Sequence, residues 1–246
     1  MSGQQVRSQP ERRTSTVSDS ICPICGSIDL VEFNGRLNAQ CVNCGALERH
    51  RYMYMLMDRM GILKPNMSIL HIAPEFGLFK NLSELTQHYN AVSFELAQYE
   101  HWTPTVKFID LCNLDEVFDG TFDLIIHNHV LEHVPCSVSK TISDLQNLLN
   151  QDGVMIFSIP IWKNSDTIED LNPNLTEVER IQMFGQRDHV RIFGDQNVLE
   201  VLQGQENNPV SIVDPYDYLT DSDLQTACIP LSTEVNGQTM FRVNYG

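Results

Sequence analysis

The sequence predicts an α/β protein, a mostly parallel sheet flanked by helices, preceded by a small metal module. Three observations predict it. Cys22, Cys25, Cys41 and Cys44 form two Cys-x-x-Cys knuckles near the front of the 246-residue chain. From residue 68 onward, short apolar runs alternate with helical stretches, the pattern of a parallel sheet. Those runs are apolar at nearly every position, as strands buried on both faces are.

The knuckles come first. Each is closed by a glycine, Gly26 or Gly45, and 15 residues separate Cys25 from Cys41. A knuckle directs two thiolates at one tetrahedral ion, and the glycine lets the chain curl so that backbone N–H groups face the sulfurs. Four thiolates close the coordination shell and leave no open position, so residues 21–45 read as a structural zinc ribbon. The polar residues 1–20 ahead of it, rich in Ser, Gln and Arg, read as a disordered leader with no signal-peptide core.

Residues 46–66 follow as a linking segment, with a helix over Ala46–Met60 that places Leu47, Met53, Leu56, Met57 and Met60 on one side and stops at Gly61. The larger domain, residues 67–246, reads in order as strand Ser68–Ile72, helix Phe76–Tyr89, strands Ala91–Glu95, Val106–Ile109 and Phe122–His127, helix Ser137–Asn150, and strand Gly153–Ile159. Residues 160–194 are polar and read as a loop and short helix forming a lid or substrate region. A helix over Asp195–Leu202 and late strands Pro209–Val213 and Thr239–Asn244, paired antiparallel, complete the chain.

Charge narrows the partners. Residues 1–66 carry eight Lys/Arg against six Asp/Glu, residues 67–246 eight against twenty-six. So acidic a body repels phosphate backbones and argues against nucleic acid, because Lys/Arg contacts to phosphate supply most of such affinity. Arg36, Arg49, Arg51 and Arg59 are the one basic cluster, and read as a solvated face. Cys112, Cys136 and Cys228 form an odd remainder without a disulfide framework, which points to a reducing, cytoplasmic setting. No apolar run reaches membrane-spanning length. Oligomeric state is not legible.

In open α/β sheets the ligand binds beyond the carboxyl ends of the strands, so the residues there are the candidates. The first strand ends in His71, Ala73, Pro74, Glu75 and Gly77, the second in Glu95, the third in Asp110 and Leu111, the fourth in Asn128 and His129. An acid after the second strand can accept from ribose hydroxyls, and one after the third from an adenine amino group.

The run from Phe122 through Asn128, His129, Glu132 and His133, with Asp152 to Phe157 following, resembles the strand-four to strand-five signature of class I S-adenosylmethionine-dependent methyltransferases. The set CPxCG, CxxCGxLERHR, LHxAPE, NHVLEH and FGQxDHVRxxG, spanning Cys22 to Gly194, is similar to a bacterial subgroup of these enzymes bearing an N-terminal zinc ribbon. The resemblance implies a Rossmann-like sheet with an antiparallel final strand and S-adenosylmethionine as cofactor. His71, Ala73, Pro74, Glu75, Gly77, Glu95, Asp110, Leu111, Asn128 and His129 would surround it. Ala73, Pro74 and Glu75 stand where most of the superfamily has a glycine-rich turn, an altered cradle that the subgroup shares.

The resemblance also bears on two histidine clusters. Some quinone-related O-methyltransferases hold a divalent cation with an acid, a Glu and a His at the places of His129, Glu132 and His133, which here would share one helical face; packing is the competing role for Glu132 and His133. In the second cluster, His189 is a candidate base for an oxygen or nitrogen acceptor, alongside His129, and Arg191 a candidate clamp for a substrate carboxylate or phosphate. The alternative is an internal brace of Asp188, His189 and Arg191. Thr167, Glu169 and Asp170 are further candidates for substrate contact. The function expected is methyl transfer to a small molecule, a sugar- or nucleotide-linked glycan precursor, or a peptide. Two rivals remain: an RNA-modifying methyltransferase that reads RNA through the ribbon, and a non-catalytic zinc-ribbon adaptor.

Overall fold

The computed structural model of the protein describes residues 20–101, 105–114, 118, 120–205, 208–230 and 234–246. Apart from Ser20, the expected leader lies outside the described residues. The ribbon is an antiparallel hairpin of β1 (Leu30–Phe33) and β2 (Arg36–Cys41), followed by helix α1 (Glu48–Arg59). Then come β3 (Ile69–Ile72), α2 (Phe76–Leu85), β4 (Tyr89–Ser93), β5 (Lys107–Phe108), β6 (Phe122–Asn128), α3 (Val138–Gln146) and β7 (Leu149–Ser158). The remainder comprises β8 (Ile161–Trp162), β9 (Ile168–Glu169), α4 (Glu177–Phe184), β10 (Arg191–Gly194), α5 (Val198–Gln203), β11 (Ser211–Ile212), α6 (Asp221–Thr226) and β12 (Phe241–Asn244).

The central sheet has the order β11-β12-β7-β6-β3-β4-β5. Its five strands β5, β4, β3, β6 and β7 are parallel, and β12 runs antiparallel to both β7 and β11. Strand order reverses between β3 and β6, which opens a crevice at their carboxyl ends where a ligand can enter. Alternation along the strands divides the core. Ile69, Leu124, Ile126, Val154 and Ile156 face the α1 and α6 side, whereas Leu70, Ile72, Ile125, Met155 and Phe157 face α3 and α5.

The ribbon is not a separate bead. Cys22, Ile24, Leu30, Cys41 and Cys44 belong to the same apolar cluster as Met53, Leu56 and Met57 of α1 and the first sheet face. The polar side expected to leave α1 for solvent is instead enclosed: Glu48, His50 and Arg51 are buried. The Arg51 guanidinium donates to the carbonyls of Ala39 (2.8 Å), Ala46 (3.0 Å), Asn38 (3.0 Å), Ala227 (2.8 Å) and Cys228 (3.1 Å). It ties the ribbon to the segment after α6, which explains how a full charge is tolerated there.

Gly77 has a different task from the one expected of it. A Cβ at Gly77 would meet the Cys44 carbonyl oxygen at 3.0 Å and Cys44 Sγ at 3.2 Å. The residue lets α2 touch the second knuckle and does not line the cofactor crevice.

The expected lid contains more order than a loop with a helix. β8, β10 and β9 form a small sheet, with β10 central, parallel to β8 and antiparallel to β9. The α4 helix inside it begins at Thr176, whose side chain exchanges hydrogen bonds with Glu179, and ends at Gly185 in the left-handed region.

Candidate active site

A cavity of about 640 Å³ opens at the carboxyl ends of β3, β4, β5 and β6. Its wall includes Ala73, Pro74, Glu75, Glu95, Asp110, Leu111, Asn128 and His129, so eight of the ten residues expected around a cofactor gather there. The other two do not. His71 is buried behind Glu75, with Nδ1 2.6 Å from the Tyr89 hydroxyl and Nε2 3.2 Å from Glu75 Oε2, and Gly77 packs on the ribbon.

Local backbone explains the altered first loop. Ala73 takes φ +50°, the left-handed conformation that the missing glycine would otherwise supply, and its N–H donates to Val92 O at 2.7 Å. His129 does the same at the end of β6, with φ +53°. Asn128, part of the cavity wall, has its side chain fixed: its Oδ1 accepts from Ser158 Oγ at 2.6 Å, and its Nδ2 contacts Met53 Sδ at 3.3 Å. Asp110 shapes its own loop, accepting the Cys112 N–H at 2.9 Å and Asn113 Nδ2 at 2.6 Å.

Electrostatics set the protonation states. Burial alone would raise the Glu75 carboxyl, but the His50 and His71 rings and Arg49 outweigh it and hold the group well below the usual carboxylate range. Burial, then the Arg49 charge, lowers His129 to about 3. Burial and the neighbouring His133 lower His189 to about 4. Both imidazoles are therefore neutral at pH 7, and both are weak proton acceptors, so neither matches a base poised near neutrality. In addition, His189 does not line the cavity, although its neighbours His133 and Asp188 do.

Arg191 is a brace, not a substrate clamp. It is fully buried, pairs with Glu169 Oε2 at 2.7 Å, and donates to the carbonyls of Leu131, Val134 (2.7 Å) and Cys136 (2.8 Å). Thr167, Glu169 and Asp170 likewise serve the fold. Thr167 Oγ1 accepts from the Gly194 N–H, Glu169 holds Arg191, and Asp170 accepts from the Asn172 N–H.

The histidine trio also changes membership. The 3-10 turn Leu131–His133 replaces the expected helical face. Among the described residues, the donor atoms that all lie within 4.8 Å of one another are those of Glu132, His133 and His189, without His129. Glu132 is buried, and burial raises its carboxyl to about 8.

The expectation of separate thiols is corrected as well. Cys112, on the cavity wall, and Cys136 form a disulfide that joins the loop after β5 to the loop before α3. The reducing-compartment argument loses its basis. No helix among the described residues is long and apolar enough to cross a membrane.

Arg49 is the cavity residue that sequence reasoning placed elsewhere. The sequence alone places it on a solvated face, because the LERHR string does not reveal how α1 is rotated. Arg49 lines the 640 Å³ cavity and also a neighbouring cavity of about 410 Å³, and His129 lines both. Its Nε is buried and has no hydrogen-bond partner among the described residues. The second cavity adds Arg36, Glu48, Trp162, Asn236, Gly237 and Gln238. The remaining arginines are engaged: Arg36 pairs with Glu48 (3.4 Å) and Arg59 with Asp223 (3.0 Å).

In the ribbon, the four sulfurs of Cys22, Cys25, Cys41 and Cys44 lie within 4.8 Å of one another. Gly26 and Gly45 take φ +72° and +68°, and backbone N–H groups of Ile24, Cys25, Asn43, Cys44 and Ala46 point at the sulfurs. This donor set fits a tetrahedral Zn²⁺.

A parallel sheet of this order, with an antiparallel β12 and an acid-lined crevice at the switch point, defines a Rossmann-like fold. The family model described as "Methyltransferase domain" matches residues 46–208, so the chain belongs to that family and is a methyltransferase. The non-catalytic adaptor reading is thereby set aside. No curated protein matches the chain.

Among solved structures, a S-adenosylmethionine-dependent methyltransferase from Clostridium acetobutylicum is 13% identical, with TM-score 0.49, covering 79% of this chain and 91% of that one. The 1,6-didemethyltoxoflavin-N1-methyltransferase of Burkholderia thailandensis is 14% identical, with TM-score 0.48, covering 80% of this chain and 78% of that one. N-methyltransferase NodS from Bradyrhizobium japonicum WM9 is 15% identical, with TM-score 0.43, covering 80% of this chain and 96% of that one.

Proposed function

We propose that the protein transfers a methyl group from S-adenosylmethionine to an oxygen or nitrogen of a small acceptor, and that its cysteine quartet holds a structural Zn²⁺. The observation that carries the reading is the set of groups facing one cavity: Glu95 after β4, Asp110 after β5, Asn128 and His129 after β6, and Arg49, whose buried Nε has no hydrogen-bond partner among the described residues. Glu95 and Asp110 suit the ribose hydroxyls and the adenine amino group. Arg49 suits the cofactor's carboxylate, since its buried Nε–H has no hydrogen-bond acceptor among the described residues and a carboxylate would supply one. When bound, the cofactor supplies an electrophilic methyl group on a sulfonium.

Methyl transfer from a sulfonium is an in-line displacement, so the protein contributes alignment and exclusion of water. The 410 Å³ cavity, sharing Arg49 and His129 with the larger one, is the acceptor pocket on this reading. Half-exposed Trp162 offers a face for a flat acceptor, and the Arg36–Glu48 pair a polar edge. His129, kept neutral by burial, orients the acceptor by hydrogen bonding and leaves proton removal to solvent. The ribbon forms a wall of this pocket through Arg36.

A small acceptor is favoured over RNA because the ribbon arginines are engaged. Arg51 is buried, Arg36 and Arg59 are paired with acids, and Arg49 points into the cavities. Incubation with S-adenosylmethionine carrying a labelled methyl group, against a low-mass cell extract and against total RNA, tests this. Label is expected in the low-mass fraction; incorporation into RNA alone would overturn the small-acceptor reading.

A further inference from the structure

Glu132 is a buried acid with one carboxyl oxygen left unsatisfied. Its side chain is 1% exposed, and Oε2 has no hydrogen-bond partner among the described residues. Oε1 stands 3.8 Å from His133 Nε2 and 3.7 Å from His129 Nδ1, both beyond hydrogen-bond length. His189 joins from the segment before β10, its ring perpendicular to that of His133 at a centroid distance of 4.7 Å. An ion held at about 2.0 to 2.2 Å by three ligands sets those ligand atoms about 3 to 4 Å apart; the Glu132–His133 pair stands at 3.8 Å, and the donor atoms of all three residues lie within 4.8 Å of one another.

The surroundings are those of a prepared site. His133 Nδ1 lies 3.3 Å from the Asp188 carbonyl oxygen and 3.4 Å from its carboxylate. A proton on Nδ1 is thus held by Asp188, which leaves the Nε2 lone pair directed toward Glu132, the outer-shell arrangement typical of metal-binding histidines. The two segments that meet here are fastened independently of any ligand. The Val190 N–H donates to the Glu132 carbonyl at 2.9 Å, and buried Arg191 clamps the carbonyls of Leu131, Val134 and Cys136. Such bracing holds ligand-bearing segments in a fixed relation, as a metal constellation needs.

We propose that Glu132, His133 and His189 form a second metal site, which takes a divalent transition cation of the Zn²⁺ class. Two imidazoles and one carboxylate select such an ion over Mg²⁺ or Ca²⁺, which prefer all-oxygen shells. Three protein ligands leave at least one position open, unlike the closed cysteine quartet. Of the three, His133 lines the large cavity, as does its partner Asp188. The third ligand comes from the FGQRDHVR segment, far from the other two in sequence.

Zinc chloride titrated into protein already carrying the quartet ion, followed by calorimetry and metal analysis, tests the site without cofactor or acceptor. Its outcome is therefore independent of the methyl-donor reading. The expected result is one further ion per chain. Glu132→Gln, which keeps the side-chain shape, and His189→Ala each weaken it by about tenfold or more, and the half-exposed Asp188→Ala by about tenfold. His129→Ala leaves it in place. No further ion in the parent protein, or one that survives the Glu132, His189 and Asp188 substitutions, would overturn the proposal.

Discussion

His127 shows what a single side chain can cost. It is the penultimate residue of β6, fully buried, its ring stacked on Phe157 at 4.8 Å and both nitrogens without partners among the described residues. Burial lowers it to about 3 from an ordinary 6.5. The folded state therefore keeps the ring neutral while the unfolded chain protonates below 6.5. Stability from this residue is present above pH 6.5 and is lost as pH falls toward 3, at about 1.4 kcal/mol per pH unit. His127→Phe keeps the stack and removes the unsatisfied nitrogens. Chemical denaturation should find it more stable by about 1 to 3 kcal/mol at pH 7, with the advantage widening at pH 5. An unchanged pH dependence would contradict this account of His127. At the same scale, the sequence led to the right wall residues, Ala73, Glu95, Asp110 and Asn128, because strand ends are readable from apolar runs. It misassigned Arg191 and His71, because the identity of a polar residue does not say whether a cavity or three carbonyls await it.

Between elements, the contact that organises the molecule is ribbon against α1 and α2. The knuckles were legible from cysteine spacing and the α1 helix from its apolar periodicity. The burial of its polar side was not, since Arg51 finds its partners at Ala39 and Ala227, on opposite flanks of the chain. Gly77 separates two accounts cleanly. As a cofactor-loop glycine, its replacement by alanine would weaken cofactor binding and leave the ribbon alone. As the point where α2 meets Cys44, Gly77→Ala pushes the knuckle away. It should destabilise the protein by about 1 to 3 kcal/mol and speed zinc loss to a chelator, although alanine is the better helix former. Zinc release at the parent rate, with stability raised, would reverse that assignment. The small sheet of β8, β9 and β10 escaped the sequence because its two outer strands are two residues each, too short to show alternation.

At the scale of the whole molecule, the alternation of strands and helices after residue 68 foretold the parallel sheet, and the late pair β11 and β12 the antiparallel edge. The Cys112–Cys136 disulfide was invisible, because the two thiols lie at a sequence separation of 24 with a whole strand between them. The ribbon, α1 and the sheet act as one body: the ribbon supplies Arg36 to the acceptor pocket, and α1 supplies Arg49 to both cavities. The central claim is that the cavity at the carboxyl ends of the strands, with Ala73 in place of a glycine, receives the methyl donor. Calorimetric titration of S-adenosylhomocysteine into folded, zinc-loaded protein tests it most directly. The account predicts one molecule bound per chain, weakened by about tenfold or more in both Glu95→Ala and Arg49→Ala. No binding at millimolar concentration, or binding indifferent to both substitutions, would contradict it.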